Sequence, residues 1–271
     1  MKLHLYRLSL TAADYDLFSD GSSRESRVSF LSRMLSAEFD FETRKGKILR
    51  YKPTQNDDGL MSGAVCRWMP ESYEGDPSDP FGETDGGRWA KASFFLNVND
   101  DQQVVGFERV STIGKPGAVM KGLVNELNER AGGRPYRIDV FSVNVEQSFQ
   151  KAVSLYSGPV TSLSFDLVLP NPTDGEGATK EALKRLRDKV NADRAKATVV
   201  SSDGLNTTDG LVKDAVEYAE TGGGDVVAKD GRHVVFSSKN TVKTVDVDDS
   251  YRPDGTEIDG LKTGLSGKLE R

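Results

Sequence analysis

The chain has 271 residues, enough for one large domain or two ordinary ones with a real core. Hydrophobic residues make up 36% and charged residues 29% of it, and no apolar run approaches the roughly 20 residues that span a bilayer, so a folded protein without a membrane-spanning helix is expected. A formal charge of -6 excludes a diffuse polyanion binder of the histone type, although a local basic surface depends only on how charges are arranged.

The N-terminal "MKLHLYRLSL" alternates apolar and polar residues as a half-buried strand does. It has neither the long apolar core nor the cleavage site of a signal peptide, and the single Cys66 cannot build a disulfide framework or a thiolate zinc site. Both features predict a cytoplasmic protein. A polar turn around "SDGSSRES" leads to a helix over 25–37 with Val28, Leu31, Met34 and Leu35 on one side. "KGKILRYKP" reads as a strand with Ile48, Leu49 and Tyr51 apolar and Pro53 ending it. Residues 70–88, rich in Pro, Gly and acids, read as a long mobile loop.

"WAKASFFLNVNDDQQVVGFERV" predicts a hairpin turning at Asn99 to Gln103. "GKPGAVMKGLVNELNERAGG" predicts a helix, with Pro116 early, Gly132 just past the end, and Val119, Leu123 and Leu127 inward. Three strands are expected next, in "YRIDVFSVNV", "FQKAVSLYS" and "TSLSFDLVLP". "PNPTDGEGA" is the sharpest change of composition and the best internal boundary. Beyond it the pattern gives a helix over 178–195, a strand over 196–201, a helix near 208–220 and strands over 225–229, 232–237 and 241–247, with Asp230-Gly231 as a hairpin turn. The expected fold is α+β, with mixed or antiparallel sheets and packed helices in two lobes joined by a hinge. The domains would be a sheet domain 1–169, a mobile basic-helix and hairpin domain 170–247, and a flexible tail 248–271.

Enzyme chemistry finds few of its usual groups. His4 and His233 both fall in strands, and the reading is of a protein that is not an enzyme and uses no cofactor. Asn97, Asn99, Asp101 and Glu108 imitate a calcium loop but lack its central glycine and its flanking helices. The acids from Asp246 to Asp259 read as a solvated tail, and no metal site is assigned. "TGGGD" follows a helix, whose C-terminus repels phosphate, whereas Lys115 in "GKPG" precedes one and can touch a phosphate.

The most basic segment is "TKEALKRLRDKVNADRAKATVV" at 179–200. On a helix of 100° per residue, Leu183, Leu186 and Val190 share one band, and with Lys180 at zero, Lys184 lies at about 40°, Arg187 at about 340° and Arg194 at about 320°. Arg185 and Lys189 have acids four residues away in Glu181 and Asp193, and Lys184 has Asp188 at the same spacing, but Arg187 and Arg194 have none at three or four positions. They are the charges expected to seek an outside partner. From Lys180 to Arg194 the stripe runs about 21 Å, about six base-pair steps of duplex. A solvated amphipathic helix accounts for the same pattern.

The order of "RVSFLSRMLSAEF", "ILRYKPTQND", "SFFLNVNDDQQVVGFERVSTIGKP", "YRIDVFSVNV", "VTSLSFDLVLP" and the basic helix resembles the RexA family of prophage exclusion proteins. The similarity spans about residues 27–240 and includes Gly106-Phe107 followed by Arg109; the Gly-rich tail departs from it, since the lambda member of that family carries a helix there. The resemblance implies a homodimer that binds DNA without strong sequence preference, similar in fold to RdgC, which encircles DNA, and acting with a membrane protein of the RexB kind. Its two domains would open at a flexible segment, for which Pro170 to Ala178 and the helix end near Ala195 are the natural hinges.

The expected contacts are to phosphates, from Lys180, Lys184, Arg187, Arg194 and Lys196, and in second rank from Arg109, Lys115, Lys121, Arg134 and Arg137. About four phosphates held per protomer give a dimer a log-log salt slope of about -7. The rival expectations are a module that binds an acidic protein surface and, behind it, a Mg-dependent nuclease using loop or tail acids.

Overall fold

Strand β1 (Lys2–Ala12) is the axis of the molecule, paired along both edges and buried on both faces. A computed structural model describes residues 1–12, 25–57, 59–74, 83–98, 103–132, 135–169, 178–190, 192 and 194–251, the side chains of 57, 71–74, 83–85 and 187–188 excepted. Around β1 lies an eight-stranded antiparallel sheet of β2 (Phe39–Glu42), β3 (Ile48–Asp57), β4 (Leu60–Glu74), β5 (Glu83–Asn97) and β6 (Val104–Glu108), with β7 (Tyr136–Ser142) and β12 (Thr244–Asp246) beyond it. The order is β2-β3-β4-β5-β6-β1, and β7 and β12 pair end to end along the far edge of β1.

Helices α1 (Arg27–Leu35) and α2 (Pro116–Ala131) both cover one face of this sheet. With them β1, β5, β6 and β7 follow the split β-α-β-β-α-β connection, in the spatial order β7-β1-β6-β5, and β2 to β4 extend it outward. Ser26 caps α1 by accepting from the Ser29 N–H, and α2 begins at Pro116 and ends on left-handed Gly132, as its sequence predicts. Phe30, Leu31, Met34 and Leu35 of α1 meet Val119, Leu123 and Leu127 of α2 over Tyr6, Leu8 and Leu10. Val28, expected inward, is exposed, and Phe30 takes its place.

The second sheet is four-stranded and antiparallel, in the order β11 (His233–Ser237), β10 (Gly224–Asp230), β8 (Ser162–Val168), β9 (Arg194–Val200). Its core joins Leu163, Phe165, Leu167, Val226 and Ala228 to helices α3 (Ser148–Leu155), α4 (Ala178–Val190) and α5 (Gly210–Tyr218). The fold is thus α+β. The sheets do not part at residue 170, however, because β8 lies in the second sheet and β12 returns to the first.

Several local expectations give way to tertiary context. Pro53 does not end β3, since a register shift between Pro53 and Gln55 absorbs the missing N–H. The loop expected over 70–88 is largely the far half of the β4–β5 hairpin, whose pairing runs out to Glu74 and Glu83; residues 75–82 fall outside the described ones. At about 3.3 Å per residue each arm is about 50 Å long. "FQKAVSLYS" is helix α3 instead of a strand. Its N-terminus is held by Glu220, which sits in a π-helical turn over 219–223 and accepts from Phe149 N at 2.9 Å, Gln147 N at 3.2 Å and the Ser148 hydroxyl at 2.8 Å. Arg7 and Ser9, on the expected polar face of β1, are buried, and Gly222 of the second lobe lies against Arg7. The tail expected from 248 is ordered at its start, where Asp249–Tyr251 forms a 3-10 turn, Asp249 accepts from the N-terminal amine and Tyr251 packs on the core; residues 252–271 lie outside the described ones.

Candidate nucleic-acid interface

Helix α4 is anchored by Leu183, which is buried in the second core, and its apolar band continues into water at Leu186 and Val190. Lys180 and Lys184 stand one turn apart on the flank of that band, with no ion pair among the described residues. Arg185 and Lys189 are exposed; the Arg187 side chain lies outside the described residues.

The lower end of the expected stripe does not exist. The helix stops at Val190, and Arg194 opens strand β9 opposite Val168. Its guanidinium reaches Asp166 of β8 at 2.9 Å and Asp139 of β7 at 3.3 Å, and stacks over Phe141 at 5.6 Å. Far from lacking an acid, Arg194 has two, both distant in sequence, and it clips the second sheet to the first. Lys196 reaches Asp166 at 3.6 Å and is otherwise exposed. Ala195, expected at a hinge, is paired with Leu167 inside the sheet, and 170–177 fall outside the described residues. Of the second-rank residues, Arg109, Lys115, Lys121 and Arg137 are all exposed on the first lobe, Arg109 after β6, Lys115 and Lys121 at the start of α2, and Arg137 on β7; Arg134 lies outside the described residues.

A second basic surface is not legible in the sequence. On the sheet face opposite α1 and α2, Trp68 of β4 and Trp89 of β5 are direct cross-strand partners, their rings edge to face at 5.4 Å. Each keeps nearly half its surface in water, 46% and 44%. A cross-strand aromatic pair contributes about 0.2–1 kcal/mol to a sheet, which does not require the indoles to stay open. Gly87 makes the arrangement possible, because a Cβ there would stand 2.3 Å from the Trp68 ring.

Arg50 of β3 lies over Trp89 at 5.6 Å, held by Asp40 at 2.6 Å and Glu38 at 3.2 Å. The same guanidinium keeps the Asp40 carboxyl below the usual carboxylate range, chiefly through the hydrogen bond it donates. Cys66 sits between these strands. Burial raises its thiol pKa, and Lys91 and Lys52 beside it pull the other way. A cleft of about 370 Å³ between Lys47, Arg50, Trp68 and Trp89 completes the surface.

The family model described as Domain of unknown function (DUF4747) matches residues 76–259, more than half of the chain. The chain belongs to the DUF4747 family. No curated protein and no solved structure matches it. The DUF4747 match takes in the second arm of the long hairpin and every later described element, so it includes α4, Arg194 and Trp89 but begins after Trp68.

In this DUF4747 protein the contacts of Arg194 give it a structural role, joining the two sheets. Arg194→Ala should lower stability by about 1–2 kcal/mol, less than loss of a fully buried pair because about a third of the side chain meets water. Denaturant titration reads the loss. The Trp68–Trp89 pair is invisible in the sequence, where Trp68 belongs to no recognisable element and Trp89 only opens a hairpin. Their opposition in β4 and β5 is what makes them a surface.

Proposed function

We propose that this protein binds DNA without sequence preference, holding phosphates with the cationic flank of α4. The observation that carries this is the pair Lys180 and Lys184, one turn apart and in no ion pair with a described side chain, that of Asp188 lying outside these, on a helix whose apolar side is fastened to the core at Leu183. Cations one helical turn apart in a chain of net charge -6 concentrate positive potential at one place. The similarity to RexA proteins extends the proposal to a homodimer in the bacterial cytoplasm, acting in prophage-encoded exclusion of other phages with a membrane protein of the RexB kind. No helix among the described residues is long and apolar enough to cross a membrane, which is compatible with that setting.

With Arg194 withdrawn to its two aspartates, Lys180, Lys184 and Arg187 leave about three phosphates held per protomer, and a dimer should show a log-log salt slope of about -5 on random duplex. The double reversal Lys180→Glu/Lys184→Glu should weaken duplex binding by about tenfold or more and bring the slope to about -2, since each neutralised phosphate accounts for about 0.9 of it. Anisotropy across a salt series, with mass measured in parallel, reads both. Unchanged affinity in a correctly assembled variant would sink the assignment.

A further inference from the structure

Trp68 and Trp89 are the two tryptophans of the chain, and they sit together on an open sheet face. We propose that this face is a binding site for single-stranded DNA, with the indoles stacking on neighbouring bases and Lys47, Lys52 and Lys91 holding the phosphates between them. The inference takes the DNA reading above as its premise but rests on different residues and another form of the ligand.

Three observations select that ligand. The indoles are large, half open and fixed in orientation, since Gly87 lets Trp68 lie across β5 and Arg50 pins the ring of Trp89 from the other side. Such rigid aromatic platforms suit the flat faces of unpaired bases, which a duplex hides. Arg50 is outweighed by Asp40 and Glu38, but Lys47, Lys52 and Lys91 have no ion pair among the described residues, so these six groups together leave the rim a net charge of +2, which favours an anionic ligand. A neutral sugar would use the rings without the lysines, and an acidic peptide the lysines without the rings. A strand of nucleotides uses both. The cleft beside the pair, about 370 Å³, is of the size that small-ligand sites have and gives a stacked base a wall as well as a floor.

The test uses the full chain. Because both tryptophans are in the site, tryptophan-selective excitation reports on nothing else. Titration with a short oligothymidylate should quench that emission saturably. Trp68→Ala and Trp89→Ala should each weaken binding of the labelled oligonucleotide about 5- to 100-fold. Gly87→Ala, which keeps both indoles but displaces Trp68, should weaken it as well. Should an alanine variant fail to fold, Trp68→Leu, with its apolar bulk retained, and the wild-type quench carry the test instead.

Lys180→Glu/Lys184→Glu should bind oligothymidylate with the wild-type quench while losing duplex, which separates failure of this site from failure of the α4 reading. Absence of quenching in the wild type overturns the proposal, as does equal quenching by duplex or by polyglutamate. Tighter binding of oligouridylate than of oligothymidylate overturns the assignment to DNA.

Discussion

Glu220→Ala should cost about 3–5 kcal/mol of stability, the largest loss expected from any single truncation of a polar side chain described above. The carboxylate is buried and accepts from two backbone N–H groups and one hydroxyl at the start of α3. Removing it strands the buried Phe149 N–H and leaves the Ser148 hydroxyl only a long contact to Thr241, while the Gln147 N–H is part-buried; each unsatisfied buried group carries a penalty of about 1–3 kcal/mol. The negative charge also sits at the end of the helix where the peptide dipoles favour it. Glu220→Gln keeps one acceptor oxygen and should lose about half as much. Urea titrations of the two variants read the difference directly. A loss below about 1 kcal/mol in the alanine variant would mean that α3 is held by its packing on Phe236 rather than by this cap.

Gly222→Ala should cost about 2–4 kcal/mol, and the loss has two separable parts. Gly222 has φ of +83°, a left-handed conformation that costs a side chain about 1–2 kcal/mol. A methyl there would also stand 2.7 Å from the Arg7 Cβ, so either β1 or the π-helical turn must shift. Gly132, at the end of α2, supplies the control. Its φ of +60° carries the same conformational cost, but nothing lies within 4 Å, so Gly132→Ala should lose only about 1 kcal/mol. The difference between the two variants measures how tightly the second lobe closes on β1. Equal losses in denaturant titration would show that the lobes give way freely at this point.

The two lobes therefore meet through specific packing as well as through charge. Gly222 lies against Arg7, and Arg194 ties β9 to Asp139 on β7. A clamp that opened as the RexA resemblance implies would have to break the Arg194 clip while leaving each sheet whole. For the single-strand site no such opening is needed, since the tryptophan face is already exposed.

Elements whose cause is local can be read from the chain alone. Helix α2 is legible because Pro116 and Gly132 mark its ends and Val119, Leu123 and Leu127 recur at helical spacing. Strands β1, β6, β7 and β8 are legible because apolar residues alternate or run together between polar turns, and the α+β class follows from their mixture with helices. The cationic flank at Lys180 and Lys184 is legible for the same reason, since a helix sets its own angular spacing.

Other features depend on groups far apart in the chain and exist only once it has folded. "FQKAVSLYS" is a helix because a carboxylate more than 70 residues later caps it. Arg194 lacks local acids yet finds Asp139 and Asp166, because strand pairing places distant side chains within hydrogen-bond reach where helical spacing cannot. Trp68 and Trp89 look unrelated in sequence and become neighbours only across the β4–β5 register, since in a sheet a side chain's surroundings are set by the partner strand and not by its own.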